Sequence, residues 1–417
     1  MADQRYYTLA EGCAMANNQT ADFLQDTQLI ETLAHFSRER IPERDAYGEF
    51  EATRDCSDFT SASFLSVVGK KKTVLQRVST VGGESGFADT ARDVHGWAMK
   101  LYTDEGNLDW GLNNTPVFFI RDPIKFPFHV GNPEGIHQLM VLFSDRGTPR
   151  LDGTFKYIKI HLKTRQGIQN LSSEEASKLA GENPDYMIQD MFEAIERGEY
   201  PVWDVFVQLM TPAEAEKYRW NIFDMTKLWS HKDFPLLQIG TLTMNRNPRN
   251  YFVDIEQAAF SPSTMVPGFA PSADPVLQAR LFAYPDAARY RLGVNYQQPP
   301  TNAAKVQVYC PFQRDGRMRF ADNYGGDPNC RESAAALNLD VQHEKWVGEV
   351  SAYTSEITDE DFVQPAALWE VIRRQEGHQE RVVDDLVASV KGVNRINRGL
   401  GAKLREKTEA AIQLVQG

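Results

Sequence analysis

The chain contains few cysteines, and they form no recognisable pattern. Four occur in 417 residues, and no two of them make a C-x-x-C pair. They are Cys13, Cys56, Cys310 and Cys330. Closely spaced cysteine pairs mark zinc sites, and ordered sets mark disulfide frameworks. The cysteine pattern therefore suggests neither kind of site, and it fits a reducing compartment.

Long apolar runs and an excess of positive charge are also missing. No run is long enough to cross a bilayer, and the first residues lack the apolar core of a secretory signal, so we expect neither. The last four residues are not an S-K-L-type peroxisomal address. Lys and Arg number 45 against 57 Asp and Glu, a net charge of −12. Nucleic acids and anionic membranes bind basic surfaces, so neither is an expected partner.

Short strands are the main signal in the first half of the chain. Residues 156–163 alternate apolar and polar side chains, with Ile158, Ile160 and Leu162 on one side, which predicts a strand with one buried face. The runs 202–210 and 236–244 continue this pattern. We therefore expect a sheet-rich core.

Three helical regions are predicted after residue 170. Ser172 and Glu175 form a capping-box pattern at the start of a helical region, 172–198. A helix is also expected near 274–284 and another in the tail, 358–417. Strands followed by helices are typical of an α+β chain.

An arginine precedes a tyrosine by four residues in the stretch 279–286, A-R-L-F-A-Y-P-D. Residues i and i+4 share one face of a helix, so Arg280 is expected beside the Tyr284 phenol. A guanidinium there favours the phenolate, which is one of the few oxygen ligands that hold haem iron. Pro285 is expected to end the helix. A buried tyrosine that stacks on a neighbour is the alternative for the spacing alone.

The complete sequence of this stretch resembles the proximal haem-binding signature of the small-subunit, fungal-like haem catalases. Six further stretches resemble the same family in the same order: H-F-S-R-E-R-I-P-E-R (35–44), R-V-S-T-V (77–81), N-N-T-P-V-F-F-I-R-D-P (113–123), F-S-D-R-G (143–147), N-I-F-D-M-T-K (221–227) and N-R-N-P (245–248). The resemblance runs from about Gln25 to Asn329.

The resemblance implies an α+β fold built on an antiparallel β-barrel, usually assembled as a tetramer. It also implies four regions: an N-terminal arm (1–24), a barrel core with inserted helices (25–244), a wrapping segment that carries the haem-ligand helix (245–335) and a helical C-terminal domain (336–417). The expected location is the cytoplasm or the peroxisome.

The resemblance assigns roles to individual residues. Tyr284 matches the axial iron ligand, and Arg280 matches its partner. Arg44, Arg77 and Arg291 match the arginines that bind the haem propionates, Ser79 and Asn113 match the distal polar groups, and Phe126 matches a ring packed over the haem. A guanidinium can clamp a carboxylate through two hydrogen bonds. Taken singly, each arginine could equally be a surface ion pair and Asn113 a turn residue; only the set favours a haem site.

The chain departs from the family pattern after Arg44. The family has a V-V-H-A stretch there, whose histidine moves the peroxide proton. Here Asp45-Ala46-Tyr47 follows instead. Two further gaps, between His129 and Gln138 and between Pro149 and Phe155, remove positions that bind NADPH in small-subunit catalases. No NADPH-binding residue can therefore be carried over, and an ordinary structural role is expected for His129.

The resemblance implies a haem enzyme that dismutates hydrogen peroxide to water and dioxygen, with the activity reduced by the missing histidine. Two alternatives stay open at this point. One is haem-dependent oxidation of a small metabolite, and the other is a non-catalytic haem-binding remnant.

Overall fold

The computed structural model of the chain describes a set of ranges with gaps between them. They are 43–80, 87–91, 93–115, 117–118, 121, 146–147, 154–168, 171–306, 313–326, 358–374 and 376–383. The chain divides into two compact units, Met1–Tyr353 and Thr354–Gly417. The four regions expected from the resemblance remain a prediction.

One curled antiparallel sheet forms the centre of the first unit. Its strands run in the order β4-β3-β2-β1-β8-β7-β6-β5-β9. They are β1 (Glu43–Ala52), β2 (Lys71–Thr80), β3 (His95–Thr103), β4 (Gly106–Asn113), β5 (Arg146–Gly147), β6 (Tyr157–Thr164), β7 (Val202–Met210), β8 (Leu237–Arg246) and β9 (Ala270–Pro271). The three strands predicted from the apolar pattern are confirmed as β6, β7 and β8, and so is the α+β class.

The two faces of the first strands differ sharply in chemistry. Val74 of β2 lies in the main apolar core, as do Met99 of β3 and Trp110 of β4. Because side chains alternate along a strand, the other face carries Leu75, Arg77 and Ser79 of β2. This second face, with its polar groups, is the one on which the candidate site is built.

Five helices have both ends within the described ranges, and there are two short turns, Ser63–Leu65 and Phe252–Glu256. They are α1 (Ser173–Glu182), α2 (Tyr186–Glu196), α3 (Pro212–Ala215), α4 (Pro275–Leu292) and α5 (Glu360–Ile372). The capping box at Ser172 and Glu175 is confirmed at the start of α1. None of the helices within the described ranges has the length and apolarity needed to cross a membrane.

The expectation that Pro285 ends its helix is wrong. Helix α4 continues through Pro285 to Leu292 and ends at Gly293, whose φ of 113° suits glycine. Proline removes one backbone hydrogen bond of a helix, and its ring crowds the carbonyl four residues before it. Ala288 is buried on the later turns, so packing of this half offsets that loss.

The segment 256–261 lies between the sheet and α4. On one side Ala258 packs with Leu75 and Tyr102 of the sheet. On the other, Ala259 packs with Ala288 and Leu292 of α4. This segment, hereafter the bridging segment, therefore connects the tyrosine-bearing helix to the polar face of the sheet.

A buried ion pair fixes one end of the bridging segment. Lys100 Nζ lies 2.7 Å from Asp109 Oδ1, and the two side chains are 3% and 2% exposed. The other oxygen of Asp109 accepts the Ser261 N–H at 2.9 Å, and Lys100 Nζ lies 5.2 Å from the centre of the Phe260 ring. The ion pair thus holds the segment as well as the sheet.

Replacing Lys100 with methionine should destabilise the protein by about 3–5 kcal/mol, because it leaves the buried Asp109 charge uncompensated. The free energy of unfolding in urea measures the effect. Lys71→Met is the matched control, since Lys71 pairs with Glu49 at the surface (52% and 39% exposed) and should cost about 0–1 kcal/mol. Equal effects of the two substitutions would contradict the prediction.

Candidate active site

Arg280 and Tyr284 lie side by side on α4. Arg280 is 1% exposed, and its Nη2 donates to the Tyr284 hydroxyl at 3.0 Å. The guanidinium carbon is 4.8 Å from the centre of the tyrosine ring. Nη1 is buried, and no acceptor for it is found among the described residues. The guanidinium therefore places its positive charge directly against the phenol oxygen.

The sequence analysis missed Asp274, which caps the start of this helix. Asp274 Oδ1 accepts the Val276 N–H at 2.9 Å, and the residue is completely buried. Burial raises the pKa of this carboxyl to about 7, against the opposing effect of backbone N–H groups and of Arg280. The Asp-Pro pair at 274–275 marks a helix start, but nothing local indicates that the carboxyl is buried.

Stability should fall as the pH rises, because the folded chain favours the neutral form of Asp274. Its contribution is fully present below about pH 4 and is lost as the pH rises through about 7. In that window the unfolded state releases this proton and the folded state retains it, so the free energy of unfolding should fall by roughly 1 kcal/mol per pH unit. Asp274→Asn, which can still cap the helix, should flatten the slope when urea unfolding is measured between pH 4.5 and 8. An equally steep slope in the variant would contradict the assignment.

Two further arginines meet at one backbone carbonyl of the bridging segment. Arg77 Nη1 of β2 donates to the Ala258 oxygen at 3.4 Å, and Arg291 of α4 donates to the same oxygen and to that of Glu256. The Arg77 guanidinium also lies 4.8 Å from the centre of the Phe260 ring. Residues that are far apart in the sequence thus form a concentrated positive group.

Arg291 and Tyr284 share one side of α4. Arg291 follows Tyr284 by seven residues, which is close to two helical turns, so the two lie on the same helix face about 10 Å apart along the axis. The phenol with its own arginine therefore lies at one end of the site and the pair of guanidinium groups at the other.

Ser79 and Asn113 stand in one row across the sheet. Ser79 pairs with Gly96, and Gly96 pairs with Asn113. Because Gly96 has no side chain, the intervening strand places no side chain between the hydroxyl and the carboxamide. Asn113 Oδ1 accepts the Asn114 N–H at 2.8 Å. The structure thus brings the two distal candidates onto the face that carries Arg77.

The remaining candidates are placed in part or not at all. Arg44 is placed by its backbone, opposite Val78 of β2, while Glu43 is opposite Ser79. Phe126 and His129 lie outside the described residues.

The histidines that the structure describes stand outside the row of Ser79 and Asn113. His95 is opposite Thr80, and its Nε2 lies 3.1 Å from the Asp89 oxygen. His161 Nε2 lies 2.9 Å from Gln208 Oε1, and burial lowers its pKa to about 4. In β1 the expected histidine position is taken by Asp45-Ala46-Tyr47.

Arg280→Leu should weaken the iron ligation that the resemblance implies for Tyr284, without unfolding the chain. The leucine keeps much of the buried volume but removes the charge that stabilises the phenolate. We expect a change in the ligand-field spectrum and faster loss of haem added to the protein. Arg289→Leu, an exposed arginine of the same helix, is the control. Identical spectra for Arg280→Leu and the unmodified chain would contradict the pairing.

A family model described as Catalase matches residues 7–130 and 127–336 of the chain. The two matched pieces meet close to His129, where the sequence analysis places a gap. Together they cover most of the chain, including the tyrosine helix and the strands that carry the candidate residues.

Named relatives match over nearly the whole chain. A Schizosaccharomyces pombe protein named "Catalase" is 45% identical over 483 residues, covering 98% of this chain and 94% of the relative. A Candida boidinii "Peroxisomal catalase" is 42% identical over 94% of this chain and 92% of its own length. The first match spans 483 positions and this chain has 417 residues. The relative therefore has residues at positions where this chain has none, which agrees with the missing stretches.

Solved structures also match in both fold and sequence. A fungal catalase crystal structure aligns with a TM-score of 0.77 and 41% identity, over 92% of this chain and 90% of the other. Catalase A from Saccharomyces cerevisiae aligns with a TM-score of 0.76 and 40% identity, over 92% and 93%.

Proposed function

The chain belongs to the catalase family, and we propose that Tyr284 and nearby arginines hold its haem. Its reaction is the dismutation of hydrogen peroxide, in which two molecules of peroxide give two of water and one of dioxygen. Nothing in the comparisons favours the two alternatives, metabolite oxidation and a non-catalytic remnant. A haem is what the family implies as cofactor.

The groups at the site have the chemistry that a haem requires. A phenol paired with a buried guanidinium suits an iron ligand, and two guanidinium groups suit a pair of carboxylates. The observation that carries the proposal is the meeting of Arg77 and Arg291 at the Ala258 oxygen, two helical turns from Tyr284. Tyr284 would bind the iron, Arg280 would stabilise the phenolate, and Arg77 and Arg291 would bind the propionates. Arg44 and Phe126 are proposed from the resemblance alone.

A bound haem would supply an iron that can accept and return the electrons of peroxide. The chain's own contribution is to bind and orient the substrate. The Asn113 carboxamide can donate a hydrogen bond to a peroxide oxygen, and the Ser79 hydroxyl can donate or accept one. With Gly96 between them, both groups can reach one small molecule. Neither group is a good proton carrier at neutral pH, so the proton must move through water or another residue.

The relatives support the partners and the location that we propose. Hydrogen peroxide is the substrate, and we propose a homo-oligomer, a tetramer by resemblance. The relatives from Candida boidinii and Pichia angusta are named peroxisomal, which supports a location in the peroxisome or the cytoplasm.

Two measurements on one purified sample test the proposal. The Soret band and the haem content report whether the cofactor is bound, and an oxygen electrode reports release of dioxygen from peroxide. Haem with oxygen release supports the proposal, and haem without oxygen release would contradict the proposed substrate chemistry. Protein that takes up no haem would contradict the assignment of Tyr284 and the arginines.

A further inference from the structure

A single asparagine holds the part of the bridging segment to which both arginines donate. Asn302 is 6% exposed, and its Oδ1 accepts the Ala259 N–H at 2.8 Å. Its Nδ2 donates to the Gln257 oxygen at 2.7 Å and to the Tyr296 oxygen at 2.8 Å. Both amide hydrogens are used. The residues on either side of Ala258 are thus bonded to one side chain.

The asparagine is itself anchored to the sheet. The Tyr102 hydroxyl of β3 donates to the Thr301 oxygen at 2.6 Å, and Asn107 Nδ2 of β4 donates to the Asn302 oxygen at 2.8 Å. The Tyr296 carbonyl, to which Asn302 donates, lies just beyond the end of α4. The asparagine therefore links the sheet, the bridging segment and the chain after α4.

This arrangement fixes where the Ala258 carbonyl lies relative to both guanidinium groups. Arg77 is on the sheet and Arg291 is on α4, so their separation depends on the segment between them. Buried hydrogen bonds with good geometry hold such a segment in one position. A shift of Ala258 would change the distance between the two cationic groups.

We propose that Asn302 is a positioning residue that sets the spacing of Arg77 and Arg291, and thereby the affinity of the site for the haem carboxylates. The inference rests on the proposed haem site. Asn302 acts through the two arginines and does not itself bind iron or peroxide.

Titration of the full chain, expressed without haem, with two probes tests the proposal. Haemin carries two carboxylates, and haemin dimethyl ester carries none. Asn302→Asp keeps an acceptor for the Ala259 N–H but removes both donated hydrogen bonds. We expect haemin to bind about tenfold more weakly, a loss typical of a displaced charge-assisted contact. Binding of the ester should be unchanged, so the ratio of the two affinities falls.

A second buried asparagine provides a matched control. Asn295 is 1% exposed, and its Nδ2 donates to the Asp315 and Arg317 oxygens at 2.8 and 3.0 Å. Asn295→Asp makes the same chemical change outside the bridging segment. It should weaken the binding of both probes equally or of neither, so the ratio of the two affinities should not change.

A coupling test separates positioning from general loosening. Arg291→Gln should lower the same affinity ratio. Asn302→Asp should lower the ratio less in a chain that already carries Arg291→Gln than in the unmodified chain. Additive effects on the ratio would contradict action through Arg291.

Three further results would overturn the inference. One is an unchanged ratio in folded Asn302→Asp. Another is an equal change in Asn295→Asp. The third is an unchanged ratio in Asn302→Ser, which removes the donated hydrogen bonds without adding a charge and is also the variant to use if Asn302→Asp does not fold. An unmodified chain that binds neither probe contradicts the haem site itself, which is a distinguishable failure.

Discussion

With haem bound, the protein should release oxygen from peroxide about 10²- to 10⁴-fold more slowly than a family member with the V-V-H-A stretch. That range is the usual contribution of a positioned proton-transfer group. Peroxide can still be oriented by Ser79 and Asn113, which share one row of the sheet. Residues 45–50, directly after Arg44, include no histidine, and the histidines that the structure describes lie outside the row of Ser79 and Asn113. Proton movement should therefore limit the rate.

Restoring the missing group should raise the rate. Insertion of a V-V-H-A-type stretch between Arg44 and Tyr47 is the test, with oxygen evolution measured per bound haem. An insertion of equal length with alanine for histidine controls for the change in the strand. The variant with the histidine insertion should release oxygen faster than the variant with the alanine insertion, provided that the sheet accepts the added residues. The difference in rate should be a large part of the factor expected for a positioned proton-transfer group.

Full family-level turnover by the unmodified chain would contradict this prediction. It would mean that another residue moves the proton. His129 is the first to examine because it follows Phe126 closely in the sequence. Glu43 is the second, because β1 places its backbone opposite Ser79. Their substitution by glutamine, one at a time, would identify the group.

Tyr284→Phe should abolish haem retention or reduce it by more than about 100-fold. Removing a group that only supports a metal ligand already costs about 10- to 100-fold, and here the ligand itself is removed. Phenylalanine keeps the ring beside Arg280, so the substitution removes one oxygen and little packing. Haem content and the Soret band after gel filtration measure the effect.

The control for this variant lies on the same helix. Tyr290→Phe removes a phenol oxygen from a ring that is 46% exposed, and haem content should not change. An unchanged Soret spectrum in Tyr284→Phe would show that the axial assignment is wrong. Loss of haem in both variants would point to general damage to α4 instead.

Local spacing was enough to predict the parts of the structure that depend on near neighbours. The alternation at 156–163 predicted β6, and the pattern at Ser172 and Glu175 predicted the start of α1. The Arg280–Tyr284 contact follows from the i, i+4 geometry of any helix. Seven motifs in order also indicated the family before any fold was known.

The tertiary structure decided what depends on residues far apart in the chain. Strand register placed Ser79 and Asn113 in one row of the sheet. Packing of Ala288 and Leu292 against Ala259 stabilises the half of α4 that follows Pro285. Arg77 and Arg291 both donate to the Ala258 oxygen, and Ala258 is 181 residues from Arg77 in the chain. Burial of Asp274 likewise depends on neighbours that its own segment does not specify. Register and burial are set by the whole sheet and its covering segments, so no local pattern contains them.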